Sequence, residues 1–168
     1  MTKLSMHAIS APVFTRMLNN LSSILSKAEQ QAKAKGYDPN VLLNDRLAPD
    51  MFTLTRQVQI ATDQVKGGMS RLAGAEVPTW PDTEASFTDL ATRVDKALAH
   101  VKNFKPAQYE GFEARKIELK FPNITLEYTG RDYLLGHVLP NFYFHLTTAY
   151  AILRHNGVAL GKRDFLGG

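Results

Sequence analysis

The chain has no cysteine among its 168 residues, which excludes disulfides, thiolate metal ligands and a cysteine nucleophile. A cysteine-free chain suits a reducing compartment, and a cytoplasmic location is expected. The opening segment MTKLSMHAIS lacks the uninterrupted apolar core and small-residue cleavage site of a secretory signal, so it reads as part of the structure. Catalytic signatures are missing too. The chain carries no G-x-S-x-G, no glycine-rich phosphate loop, no dinucleotide fingerprint and no H-E-x-x-H. Nor is charge of one sign concentrated. Twenty Lys and Arg against 16 Asp and Glu leave a net +4, and the basic residues fall in short pairs such as Arg115 with Lys116. Nucleic-acid sites show a basic stripe or a recognisable motif instead, so no nucleic-acid partner is expected.

Charge is also absent from the twenty-one residues between Asp132 and Arg154, YLLGHVLPNFYFHLTTAYAIL. The run is long enough to cross a bilayer. Its two histidines, two threonines, asparagine and mid-segment proline argue for a buried helix of a soluble protein and against a membrane partner. Within it His137, Asn141 and His145 recur at four-residue steps and project to one sector of a helix.

What is present is helical periodicity. At 44% hydrophobic residues the chain can bury one substantial core, and a single domain over residues 1–168 is expected. Leu4, His7, Ala11, Phe14, Leu18, Leu21, Leu25, Ala28 and Ala32 form a long first stripe. Ser5 or Ser10 is its candidate cap, Pro12 falls in its first turn or at a kink, and Gly36 ends it. The linker YDPNVLLNDRLAPDM holds turn formers, yet its Leu42, Leu43 and Leu47 should pack. Leu54, Val58, Ala61, Val65, Met69 and Leu72 form a second stripe, locally weakened by Gly67 and Gly68. Asp82 or Thr83 should start a third helix carrying Phe87, Leu90, Val94, Ala97, Leu98 and Val101 inward. In KIELKFPNITLEYTG the period changes to two, as in a small antiparallel hairpin. A fourth helical region then runs to Asn156-Gly157, kinked or restarted at Pro140, and should be the most buried. The expected fold is therefore all-α: a four-helix bundle with a crossover connection and a β-hairpin before the last helix.

His145 is the strongest functional candidate, with Asn141 one turn before it and Thr148 one turn after. Its plainer role is a buried imidazole satisfied by a polar neighbour. A bundle metal site needs at least three nitrogen or carboxylate ligands from facing helices. His137 lies two turns away from His145, roughly 12 Å, so the two cannot share an ion on a straight helix. His7 could approach the same cavity, whereas His100 and His155 read as surface or capping residues. Gln57 and Asp63 are the polar groups expected to face His145 from the second helix; a near-core Gln57 would need a partner such as His145 or Asn141, while an exposed Asp63 is its ordinary reading. Tyr128, Tyr133, Tyr143 and Tyr150 could form a pocket wall or pack in the core.

The segments LPNFYFH, AYAILRHNGV and LGKRDFLG, with the hairpin before them, resemble the DinB-like, YfiT-like superfamily and, within it, a domain-of-unknown-function branch. The resemblance implies a four-helix bundle, frequent homodimers, and in many members a divalent metal held by one histidine of the second helix and an H-x-x-x-H pair on the fourth. Some members are thiol-dependent transferases or isomerases. Matched to that pattern, Asn141 takes the first position of the pair, His145 the second, and Gln57 or a neighbour stands for the second-helix histidine. One ligand of three remains, too weak a set for tight zinc binding.

The expectation is a DinB-like homodimer, with no cofactor assigned, whose degenerate metal cleft persists as a polar pocket of Gln57, Asn141 and His145 that takes a small molecule or carries no catalysis. Two alternatives stand beside it. One is a weakly metal-dependent hydrolase or transferase, with a divalent cation on His145, Asn141 and Gln57 and His145 as ligand or general base. The other is a structural dimerisation module with no small-molecule site.

Overall fold

A computed structural model describes residues 5–167; Leu4, assigned to the first stripe, lies outside the described residues. Helix α1 spans Met6–Ala34. Of its two candidate caps Ser5 is the one used, its hydroxyl accepting from the Ala8 N–H at 3.1 Å. The Ser10 hydroxyl donates to the Met6 carbonyl at 2.6 Å, and Pro12 sits on the exposed side with the helix running on past it. Gly36 closes the helix with φ +77°, a left-handed conformation that glycine adopts without steric cost. This lets the Tyr37 N–H return to the Ala32 carbonyl at 3.2 Å.

A 3₁₀ turn over Pro39–Asn44 buries Leu42 and Leu43, but Leu47, expected to pack, stays 42% exposed. Helix α2 spans Leu54–Leu72, and all six residues of its stripe are fully buried. Each buried Leu, Val or Met among them contributes about 1.5–3 kcal/mol, against about 1 kcal/mol for a net hydrogen bond. Apolar burial therefore sets the bundle, and polar contacts refine it. Gly67 and Gly68 do not end α2. A Cβ on Gly68 would stand 2.8 Å from Val138 Cγ1, so the bare backbone lets the fourth helical region approach closely.

Helix α3 spans Phe87–Lys102 and starts later than expected. Ser86 is its cap, accepting from the Asp89 N–H at 3.1 Å, because the Asp82 carboxylate is engaged by Arg56 and Arg93. Two 3₁₀ turns, Pro106–Tyr109 and Phe112–Ala114, lead to the strands β1, Lys116–Phe121, and β2, Ile124–Thr129. They pair antiparallel, with Ile117 opposite Tyr128 and Leu119 opposite Leu126. Ile117 and Leu119 are buried, while Phe121 and Ile124 at the tip are about half exposed, at 50% and 56%.

The fourth helical region comprises α4, Gly130–Asp132, a π-helical turn, Tyr133–Val138, and α5, Leu139–His155. Pro140 falls in the first turn of α5, as one of the two expectations had it, although the helical path runs on without a gap. The turn before it widens, the Leu139 N–H reaching back five residues to the Leu134 carbonyl, and the missing proline donor is absorbed there. Against expectation this region is not covered all round: Leu135 and Phe144 are 50% and 56% exposed. A short α6, Lys162–Leu166, docks on α1, where the Asn20 amide donates to the Phe165 carbonyl at 3.0 Å.

Helix α1 packs chiefly on α3, α3 on α2, and α2 on α5. The link from α1 to α2 therefore crosses the bundle, as the four-helix reading with a crossover requires. Phe14 of α1 meets Phe142 of α5 edge to face at 5.1 Å, closing the core.

Candidate functional site

Helices α2 and α5 bring Gln57 and His145 together. His145 Nδ1 lies 2.7 Å from Gln57 Oε1, while the Gln57 amide nitrogen donates to the Phe52 carbonyl at 3.0 Å. A carbonyl can only accept, so the Phe52 contact fixes which end of the Gln57 amide faces the imidazole. Its oxygen then requires the proton on Nδ1. Burial, with a smaller contribution from the Arg56 charge, holds His145 below its ordinary pKa. The ring is accordingly neutral near pH 7, with its lone pair on Nε2. No group among the described residues bonds Nε2, and no buried side-chain nitrogen or oxygen among them lacks a partner. Nε2 therefore keeps some contact with solvent, although His145 as a whole is only 8% exposed.

The surroundings of this atom are apolar and cationic. The Phe144 ring stands edge-on to the imidazole at 5.1 Å, and Phe52 carries the Arg56 guanidinium 5.9 Å from its ring centre. Both phenylalanines are more than half exposed. Arg56 itself is tied to Asp82 and to Gln59.

Asn141 is placed differently. It is half-buried, and its amide nitrogen donates to the His137 carbonyl at 2.8 Å, within its own helical region. No described hydrogen bond joins it to Gln57 or His145. Asp63 does not face His145 either. It is only partly exposed and accepts from Arg93 and Lys66. His7 stands edge-on to Tyr109 at 5.3 Å, while His155 is exposed. His100, read as a surface or capping residue, is half-buried: its Nε2 lies 2.9 Å from the Ser70 hydroxyl and its ring packs against Trp80 and Phe104.

His137 occupies a second location. Its ring stacks on Tyr133 at 5.7 Å and 16°, its Nδ1 lies 3.3 Å from the Tyr128 hydroxyl, and burial, then the Arg71 charge, lowers its pKa. It lines a cleft of about 240 Å³ with Lys66, Arg71 and Tyr133. Sequence reasoning did not single out Arg71 or Lys66. The available signal was the Gly67-Gly68 pair inside an otherwise regular stripe, which marks a close approach.

The apolar stripes, the crossover, the hairpin and the Gln57–His145 placement together describe a DinB-type bundle. A family model described as Domain of unknown function (DUF1993) matches residues 6–166. The chain belongs to the DUF1993 family. Among solved structures this DUF1993 chain is similar to a DinB family member protein from Shewanella denitrificans, at 42% identity and a TM-score of 0.87, over 96% of this chain and 92% of that one. No curated protein matches it.

The divalent metal implied by the superfamily does not fit the DUF1993 residues at this place. The Gln57 oxygen is committed to His145 Nδ1, and Asn141, anchored to the His137 carbonyl of its own helical region, makes no described hydrogen bond to either of them. Two amides and one imidazole are a weak donor set for zinc or nickel. Among the described residues, moreover, no three His, Cys, Asp or Glu side chains come together to hold an ion. No described helix is long and apolar enough to cross a membrane.

Proposed function

We propose that this protein is a metal-independent binding module for a small organic molecule that couples a hydrogen-bond donor to an apolar ring or chain. The observation that carries the reading is the Gln57–His145 pair. Its 2.7 Å contact fixes the tautomer and leaves a neutral Nε2 as an acceptor beside the exposed Phe144, with the exposed Phe52 supplying the carbonyl that holds Gln57. The donor meets Nε2, and the apolar body covers Phe144 and Phe52.

Binding without catalysis is the reading that the surroundings of the imidazole favour. A general base acts on a proton within hydrogen-bond reach, and beside Nε2 the described side chains supply no free acid, nucleophile or cation to work with it. The nearby cation, Arg56, is engaged by Asp82 and Gln59. Phe144 and Phe52 are more than half exposed, so the ligand rests on an open face instead of being enveloped.

Phenol is a suitable probe. Titrated into labelled protein, it should shift the resonances of His145, Phe144 and Phe52 saturably. His145→Asn keeps a donor near the Nδ1 position and deletes Nε2, so it should abolish the response while the fold persists. No response in the wild-type protein, or an equal response in His145→Asn, would overturn the reading. The two half-exposed phenylalanines favour one competing reading, in which a second copy of the chain covers them. Light scattering that shows a dimer dissociated by Phe144→Ser, with no phenol response, would establish it.

A further inference from the structure

We propose that the cleft between α2, the hairpin and the π-helical turn binds a small anion, a carboxylate or phosphate group, on the Arg71 guanidinium. Arg71 is half-buried and its Nη1 donates to the Tyr133 hydroxyl at 2.9 Å. No carboxylate among the described residues pairs with it, whereas the buried Arg93 has Asp63, Asp82 and Glu84. Taking a guanidinium partly out of water without a counter-charge is costly, and a bidentate anion is the partner whose geometry its remaining N–H groups match.

The fold makes room for this arrangement. A Cβ on Gly67 would lie 2.4 Å from Arg71 Nη1, so glycine there lets the guanidinium fold back against its own helix toward Tyr133. The Tyr133 hydroxyl accepts from Arg71 and, kept neutral by burial, retains its own proton to donate. The π-helical turn stacks His137 against the same ring, and such turns are frequent at functional sites. Lys66 lines the cleft as a second cation; Asp63 lines it too, and its charge is shared between Lys66 and Arg93. Leu119 and Phe121 of β1 supply an apolar wall, so the anion should carry a small apolar body. The site is separate from the Gln57–His145 pair and does not depend on the function proposed for it.

Calorimetric titration with inorganic phosphate and, separately, with acetate tests the proposal at constant ionic strength. At least one should bind saturably to the wild-type protein, and the stronger of the two identifies the headgroup. Arg71→Gln should weaken that binding at least tenfold with an unchanged circular dichroism spectrum. Should Arg71→Gln fail to fold, Tyr133→Phe keeps the ring, removes the hydroxyl donor and should still weaken binding several-fold. Absence of saturable binding by both anions, or affinity unchanged in whichever variant folds, overturns the proposal. Phenol binding at His145 should be the same in Arg71→Gln, which keeps a failure here distinct from a failure there.

Discussion

Gln57 holds His145 in a single tautomer: one end of its amide accepts from Nδ1 at 2.7 Å and the other end donates to the Phe52 carbonyl at 3.0 Å. The contact ties α2 to α5 across the core and aims Nε2 outward. It separates what the imidazole does for the fold, through Nδ1, from what it offers a ligand, through Nε2.

That separation predicts a difference between two substitutions. His145→Ala strands the buried Gln57 oxygen and should cost about 1–3 kcal/mol. His145→Asn, which can still donate to that oxygen, should stay within about 1 kcal/mol of the wild-type protein. Urea unfolding measures both. Equal losses in the two variants would mean that ring packing, and not the Gln57 bond, is what the fold requires.

Stability should fall on mild acidification. His100, His137 and His145 are each held below the ordinary value of 6.5, by burial first. Between that value and their lowered folded pKa values the unfolded chain binds more protons than the folded one, so unfolding becomes easier as pH drops through this window. The melting temperature should be lower at about pH 5.5 than at about pH 7.5, and His145→Asn should flatten the trend. The carboxylates held below their usual range, Glu84 among them, titrate at lower pH and do not produce this window. A flat profile from about pH 7.5 to 5.5 would contradict it.

Arg93 is the costliest charge to remove. Its side chain is 2% exposed and meets Asp63, Asp82 and Glu84, while its Nε donates to the Thr62 hydroxyl at 2.8 Å. Arg93→Met keeps much of the bulk but leaves Glu84 with only the Gln59 amide, Asp63 with Lys66 and Asp82 with Arg56, at about 1–3 kcal/mol. A loss below about 1 kcal/mol in chemical denaturation would show that water satisfies those acids instead.

Two glycines of the fourth helical region should respond oppositely to alanine. A Cβ on Gly130 would lie 2.0 Å from the Phe112 carbonyl oxygen, a backbone atom, whereas one on Gly136 meets nothing within 4 Å. Gly130→Ala should therefore destabilise by about 2–3 kcal/mol, and Gly136→Ala should be neutral or gain up to about 1 kcal/mol from helix propensity. Thermal melts decide the order, and a stable Gly130→Ala would show that the 3₁₀ turn at Phe112 yields.

The bundle was legible because helix burial is written in local periodicity: the stripe from Leu54 to Leu72 is buried at every expected position. Gln57 was legible for the same reason, since a polar residue close to that stripe must find a partner. The start of α3 was not. Asp82, Thr83 and Ser86 are all good caps, and the choice depends on Arg56 and Arg93 claiming Asp82. Arg93 escaped because its partners come from α2 and from the connection after it. His100 likewise needed Ser70 and Trp80, both distant in sequence. Pro140 announced an irregularity without saying that a widened turn would absorb it. The turn's consequence, His137 and Tyr133 stacked beside Arg71, could be seen only in three dimensions.

The most direct measurement is a long-range ¹H–¹⁵N spectrum of histidine-labelled protein near neutral pH, with and without an equimolar amount of zinc. His145 should be neutral with its proton on Nδ1, titrate below 6.5, and keep its shifts when zinc is added. A proton on Nε2, or a zinc-induced shift of the His145 nitrogens, would contradict that assignment.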